Sequence, residues 1–375
     1  MADTFPAVLI TGARQTGKTS LLRRQFADAD YLSLDLPANA EAAETAPERL
    51  LENYNGPIIL DEIQYAPSLL RYIKHRMNED RTPGQYLLTG SQIFPLMEGV
   101  SESLAGRCGI LNLQTFSFSE VGGSEGKYSL KNYVFKGGYP ELYLGAERDL
   151  WFPSYIATYL ERDVRNLLNV TSLKDFNRFL RACALRTSQT LNYSDLARDT
   201  DVAPNTARKW LALLQASSII TLVEPYFGNR TKRLTKAPKM CFLDTGLAAF
   251  LNGFSSEEHL FSSTMAGAFW ETFVVGQVWR HLAFRGLDPS VHFWRTAGGN
   301  EVDIVIEQAD GKIIAAECKL KEYADISDTH GLQSMAEVEG NRISNRFIVC
   351  RTPNSYQLSD GTWVVPLQEF LRRIG

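Results

Sequence analysis

Along the first third of the chain, short apolar runs alternate with segments whose apolar residues recur at helical spacing. The runs fall at 7–11, 30–34, 57–61, 85–89 and 109–113, and the helical segments include 18–26, 47–53 and 67–79. Such alternation predicts strands and helices in turn, and so an α/β unit with a mainly parallel sheet covered on both faces. The pattern then changes. Residues 150–186 mix polar and apolar positions at helical spacing. Tyr193-Ser194-Asp195 opens a helix with Ser194 or Asp195 near its cap, and Asp201-Val202-Ala203-Pro204 is a turn. A second helix follows, with Ala207, Trp210, Leu211 and Leu214 on one face, which makes a helix-turn-helix. Apolar runs at 218–226 and 239–243 flank Gly228-Asn229 and predict a wing. Beyond residue 255 a helix over about 265–283 precedes strands at 291–295, 301–307, 313–319 and 346–350. Three domains are expected, at 1–145, 150–250 and 255–375.

The first strand runs into Gly12-Ala13-Arg14-Gln15-Thr16-Gly17-Lys18-Thr19, with Ser20 next, a complete P-loop between a strand and an opening helix. Glycines let the backbone approach an anion, and the helix N-terminus turns N–H groups and positive dipole toward it. Residues Gly12 to Ser20 are therefore expected to bind the phosphates of ATP. Lys18 would reach the β- and γ-phosphates and Thr19 would hold Mg2+. Lys18 is expected to be exposed in the loop, with no role in the core.

A second apolar run, Pro57-Ile58-Ile59-Leu60, ends in Asp61-Glu62. Carboxylates at the end of a buried strand are poorly explained by packing, because buried charge is costly without a partner. In an ATPase, Asp61 would serve the magnesium shell, and Glu62 would orient or activate the attacking water. The plainer alternative is a strand end entering a polar loop. Thr89-Gly90-Ser91-Gln92 would lie at the same sheet edge. Ser91 there is either a contact to the γ-phosphate or water, or simple turn chemistry. Arg107 follows the small-residue turn Ala105-Gly106 and is a candidate arginine finger, acting in cis or, in a homo-oligomer, in trans.

Composition narrows the setting. The chain has 375 residues, 44% of them hydrophobic and 22% charged, so it can bury sizeable cores. A net charge of −4 provides no global attraction to nucleic acid, so any such surface must be a local patch. One candidate is the wing, where Arg230, Lys232, Arg233, Lys236 and Lys239 cluster. The alternative is a solvated hairpin. The five cysteines are scattered and form no C-x-x-C pair, which argues against structural zinc and for reduced thiols. With no signal-peptide pattern and no apolar run of membrane-spanning length, a cytoplasmic protein without a membrane partner is expected.

The last region carries a second constellation. Asp303 stands at the head of the strand Glu301–Ile306, and Glu317 and Lys319 share one face of the next strand. A hairpin brings Asp303 to that face. Asp303 and Glu317 would hold magnesium, and Lys319 would steer or activate water for phosphodiester hydrolysis. Glu271, set among large apolar residues, would add a ligand. The alternative is a polar strand face with a cross-strand ion pair.

Together these motifs resemble a family, the prokaryotic AAA+-type (AAA_14) ATPases that carry a C-terminal DUF4143 domain. The P-loop, Ile58–Gln64, Leu88–Gln92, Ser103–Arg107, Gly137-Gly138-Tyr139-Pro140-Glu141 and Tyr159–Val164 carry the resemblance. It implies ATP binding, a winged helix, and a last module similar to the PD-(D/E)xK nuclease fold, with Glu271, Asp303, Glu317 and Lys319 in its order. Cys318 sits between the last two. The leading expectation is an ATP-hydrolysing switch or motor with a nucleic-acid-directed C-terminal module. The rivals are an ATP-gated nuclease and an ATP-dependent switch that binds a protein.

Overall fold

The five apolar runs of the N-terminal segment become the strands of one parallel sheet. They are β1 (Ala7–Thr11), β2 (Asp30–Ser33), β3 (Ile58–Asp61), β4 (Tyr86–Thr89) and β5 (Cys108–Asn112). The order across the sheet is β2-β3-β4-β1-β5. This is a computed structural model, and it describes residues 1–90, 103–122, 126–160, 173–227, 237–286 and 290–375. These residues divide into two units, Met1–Thr115 with Ala216–Ser218, and Phe116–Gln215 with Ile219–Gly375. The main segment of the first unit thus ends at Thr115.

In the first unit β1 is buried along its whole length. Its residues alternate between two cores. Ala7 and Leu9 pack with Leu60, Leu88 and the helix Leu69–Glu79, while Val8 and Ile10 pack with Ile59, Leu87 and Leu22. Both faces are covered, which is why these strands read as continuous apolar runs. Because every strand is parallel, the carboxyl ends of β1, β3 and β4 share one edge. The register pairs Ile10 with Thr89 and Leu60 with Leu88, so Gly12, Asp61 and Thr89 meet there.

The second unit is built on a mixed nine-stranded sheet. Its further strands are β6 (Gln189–Thr190), β7 (Ile220–Pro225), β8 (Lys239–Phe242), β9 (Val291–Arg295), β10 (Glu301–Glu307), β11 (Ile313–Cys318), β12 (Ile343–Val349), β13 (Tyr356–Gln357) and β14 (Trp363–Val365). The order is β13-β14-β12-β11-β10-β9-β7-β8-β6. Wing strand β7 pairs in parallel with β9 through Glu224 and Pro225. Strands from the two regions expected at 150–250 and 255–375 therefore share one sheet.

The helix-turn-helix is formed by Tyr193–Thr200 and Pro204–Ala216. Asn192, rather than Ser194 or Asp195, caps the first helix, accepting from the backbone N–H groups of both. Trp210 stacks edge-on against Phe176 and Phe179. The helix Ala266–Phe284 packs with Ile304, Ile306, Ile314 and Ala316 on one face of the sheet. The helix His330–Glu339 places Leu332 and Met335 with Val302, Val305 and Ala315 on the other. Val302 and Val305, three apart, face the same side because the β9–β10 register shifts between them. No described helix is long and apolar enough to cross a membrane.

Candidate functional site

At the end of β1 the chain turns through Gly12, Gln15 and Gly17, all at positive φ. Gly12 has φ of 130°, and a Cβ there would lie 2.1 Å from the carbonyl oxygen of Leu113. Only glycine fits. Arg14 is half-buried, Gln15 is exposed with φ of 64°, and the Thr16 hydroxyl donates to the Ala13 carbonyl at 2.9 Å. Gly17, at φ of 90°, leads into the helix Lys18–Gln25. Thr19 is half-buried and Ser20 exposed on its first turn.

Lys18 is 6% exposed, and its Nζ donates back to the carbonyls of Ala13 at 2.8 Å and Gly12 at 3.3 Å. The expectation of an exposed lysine was wrong. The loop curls around the stem, and the ammonium rests on neutral acceptors inside the turn. Burial pulls its pKa down to about 8, and Glu62 and Asp61 oppose the fall while Arg14 adds to it.

Asp61 is 7% exposed, and both its oxygens are engaged. Oδ1 accepts from the hydroxyls of Thr19 at 2.7 Å and Thr89 at 2.5 Å, and Oδ2 accepts from Tyr31 at 2.9 Å. The Thr89 oxygen in turn accepts from the Glu62 backbone N–H at 3.0 Å. Glu62 holds a left-handed backbone, φ 59° and ψ 50°, which is strained for a side-chain-bearing residue and aims it off the strand. Gln64 donates to its Oε2. A Mg2+–phosphate group fits this donor set: the Thr19 hydroxyl and the Asp61 carboxylate stand together beside a turn whose backbone can close on an anion.

Two other expected residues do not join this site. Ser91 lies outside the described residues. Arg107 precedes β5, whose Cys108 pairs with Ala7 at the opposite end of β1 from the P-loop. Five residues of strand, roughly 16 Å, separate the two ends. An arginine side chain does not span that distance, so a cis finger within this unit is ruled out.

The second constellation does converge. Glu271, Asp303, Glu317 and Lys319 line one cavity of about 470 Å³, together with Lys239, Glu301 and the N-terminal residues of the helix His330–Glu339. The register shift between Val302 and Val305 places Asp303 in a bulge, a device that re-aims a side chain. Its Oδ2 accepts from the Cys318 backbone N–H at 2.9 Å. Lys319 Nζ stands 3.1 Å from Glu317 Oε2.

Lys239 was read as a wing residue for phosphate contact, and here the structure corrects the sequence. It is 4% exposed, with Nζ 2.6 Å from Glu271 and 3.2 Å from Asp303, and it also pairs with Glu301. Burial lowers its pKa, but the three carboxylates outweigh that and hold it above the usual lysine range. Burial pushes Glu271 up to about 8 and Glu317 up to about 9, with Asp303 adding to both. Lys239 opposes the first rise and Lys319 the second. Magnesium was expected among Glu271, Asp303 and Glu317, yet the Lys239 ammonium stands between the first two. Among the described residues no three His, Cys, Asp or Glu side chains are placed to hold a metal ion. Of the other wing cations, Arg230, Lys232, Arg233 and Lys236 lie outside the described residues.

Comparison with known proteins finds three matching regions, two of which fall mainly in the second unit. Residues 4–122 match an AAA domain, 127–258 the domain of unknown function DUF8612, and 266–370 the domain of unknown function DUF4143. The uncharacterized proteins Mb2031c of Mycobacterium bovis and Rv2008c of Mycobacterium tuberculosis are each 30% identical over 370 residues, covering 98% of this chain and 81% of theirs. The chain belongs to their family. A Thermotoga maritima RuvB variant is similar at 13% identity with a TM-score of 0.29, covering 62% of this chain and 87% of that one, too slight a likeness to carry an argument.

Within the AAA domain, sequence reasoning missed Tyr31 and the role of Thr89. Thr89 ends the strand between β1 and β3, and a hydroxyl at that position was a usable signal. Tyr31 sits on β2 beside β3, and burial together with its bond to Asp61 raises its pKa. In the second constellation the missed residue is Lys239, which lies in the DUF8612 region, 32 positions from Glu271 and 64 from Asp303.

Proposed function

We propose that this protein is an ATP-hydrolysing switch or motor whose second unit is directed at nucleic acid. One observation carries the first half: the Thr19 hydroxyl meets the Asp61 carboxylate at 2.7 Å beside the P-loop, with Glu62 next in the chain. The AAA-domain match supports it. Lys18 and the loop N–H groups bind and orient the phosphates, and Thr19 and Asp61 hold Mg2+, which neutralises charge on the transferred group. Glu62 orients the attacking water and takes its proton. Arg107, remote from its own P-loop, serves a neighbouring copy in a homo-oligomer.

Support for the second half is the helix-turn-helix, whose second helix exposes Asn205, Arg208 and Lys209. Beside its first helix, Lys174, Arg178, Arg181 and Arg186 line a groove of about 610 Å³. Basic side chains on a groove suit phosphate contact.

ATPase assays test the reading. Lys18→Ala is expected to lower turnover by about a thousandfold. Glu62→Gln is expected to keep ATP affinity and slow hydrolysis. DNA or RNA is expected to stimulate the wild type, and the stimulation should fall with Arg208→Ala and Lys209→Ala. Undiminished hydrolysis by Lys18→Ala sinks the ATPase reading, and unstimulated hydrolysis sinks only the nucleic-acid half.

A further inference from the structure

We infer that Lys239 is the resident cation of the carboxylate cradle in the second unit, standing where a divalent metal would otherwise neutralise the same acids. This concerns the second unit alone and does not depend on the ATPase reading. The argument begins with position. Lys239 opens β8, and the three residues after it are buried like itself. A lysine on such a strand is costly unless its ammonium is paired. Its partners are Glu271 from the helix Ala266–Phe284, and Glu301 and Asp303 two apart on β10. Three carboxylates from two elements converge on one ammonium, with close contacts to Glu271 and Glu301 and a longer one, 3.2 Å, to Asp303.

The remaining valences are also met from within. Asp303 uses its second oxygen on the Cys318 N–H. Glu317 is met by Lys319 on one side. On the other, the helix His330–Glu339 brings its N-terminus against it. Gly331 makes that approach feasible, since a Cβ there would stand 2.5 Å from Glu317 Oε1 and 1.8 Å from the Glu301 carbonyl oxygen. A helix N-terminus carries partial positive charge, so it relieves the carboxylate without a metal. Four acids are thus met by two ammoniums, the Arg295 guanidinium 3.8 Å from Glu301, a backbone N–H and a helix end. A divalent ion entering here has to expel an ammonium and leave it buried.

The test is a Mn2+ titration of nucleotide-free full-length protein, read by the EPR signal of free Mn2+ and by melting temperature. In the wild type, Asp303→Asn is expected to leave Mn2+ binding unchanged. Lys239→Met is expected to gain one equivalent of Mn2+, with a rise in melting temperature on Mn2+ addition, and Asp303→Asn in that background removes both. Lys239→Arg, which keeps the charge, behaves as the wild type. The inference is overturned if the wild type loses an equivalent on Asp303→Asn, or if folded Lys239→Met gains none. Should Lys239→Met fail to fold, the wild type against Asp303→Asn and Glu271→Gln decides: unchanged binding upholds the inference, and a lost equivalent overturns it.

Discussion

Two buried lysines separate the two units by what they lean on. Lys18 in the P-loop rests on two backbone carbonyls, while Asp61 beside it is turned to hydroxyls and Glu62 to the Gln64 amide. Lys239 is gripped by three carboxylates. Burial lowers the pKa of the first to about 8, while the acids carry that of the second above the lysine range. The first ammonium is a cation still short of an anion, and the second is already neutralised. A buried charge whose partners are neutral is poised for a ligand; one whose partners are anionic is part of the scaffold.

Stability is the sharpest way to break this contrast. Lys239→Ala leaves buried carboxylates without their counter-charge and is expected to cost about 3–5 kcal/mol of the second unit's unfolding free energy. Lys18→Ala removes an ammonium held, among the described residues, by two carbonyls and should cost the first unit about 1 kcal/mol. Urea denaturation measures both, with tryptophan fluorescence reporting the second unit, which holds all six tryptophans, and far-UV circular dichroism reporting the first as well. Comparable losses from the two substitutions would mean that Lys18 is scaffold as well.

A smaller effect sharpens the P-loop side. Thr89 links Asp61 to the Glu62 backbone through one hydroxyl. Acting through these two residues, it is a positioning residue. Thr89→Val keeps the shape and removes both bonds. It is expected to lower kcat by roughly 10–100-fold with little change in ATP affinity, and Thr89→Ser should restore most of the loss. A loss in Thr89→Val seen only in KM would assign Thr89 to the binding surface instead.

How much of this was legible in the sequence follows from how local each signal is. The P-loop is one continuous segment, and Asp61-Glu62 ends an apolar run, so period and spacing sufficed for both. Glu317 and Lys319 share a strand face by the two-residue period alone. Lys239 was misread because its neighbours in sequence are basic and its partners are remote. Among the described residues, the pairing of β7 with β9 joins this segment to the C-terminal strands. The same pairing hid the shared sheet, since a parallel join between strands far apart leaves no turn signal to read. Lys18 was misjudged for a different reason. The spacing fixed its role, but whether the loop curls over the side chain depends on backbone angles at Gly12, Gln15 and Gly17 that residue types only partly dictate.

The smallest effect tests the contrast by titration. In the nucleotide-free protein Lys18 has a pKa of about 8, set chiefly by burial. A bound phosphate favours the charged form, so the pKa in the complex lies higher. Below pH 8 the ammonium is charged in both states and nucleotide affinity is flat with respect to this group. As pH rises above 8, the free protein loses a proton that binding must restore. Affinity is therefore expected to fall, approaching about tenfold per pH unit, until the pKa of the complex is reached. Titrating a fluorescent ATP analogue from about pH 7 to about pH 9.5 reads this directly, with Lys18→Arg, which stays charged throughout, as the flat reference. A wild-type affinity that stays level through this range would show that Glu62 and Asp61 hold Lys18 charged as firmly as Glu271, Glu301 and Asp303 hold Lys239, and the distinction between a poised lysine and a scaffold lysine would fail.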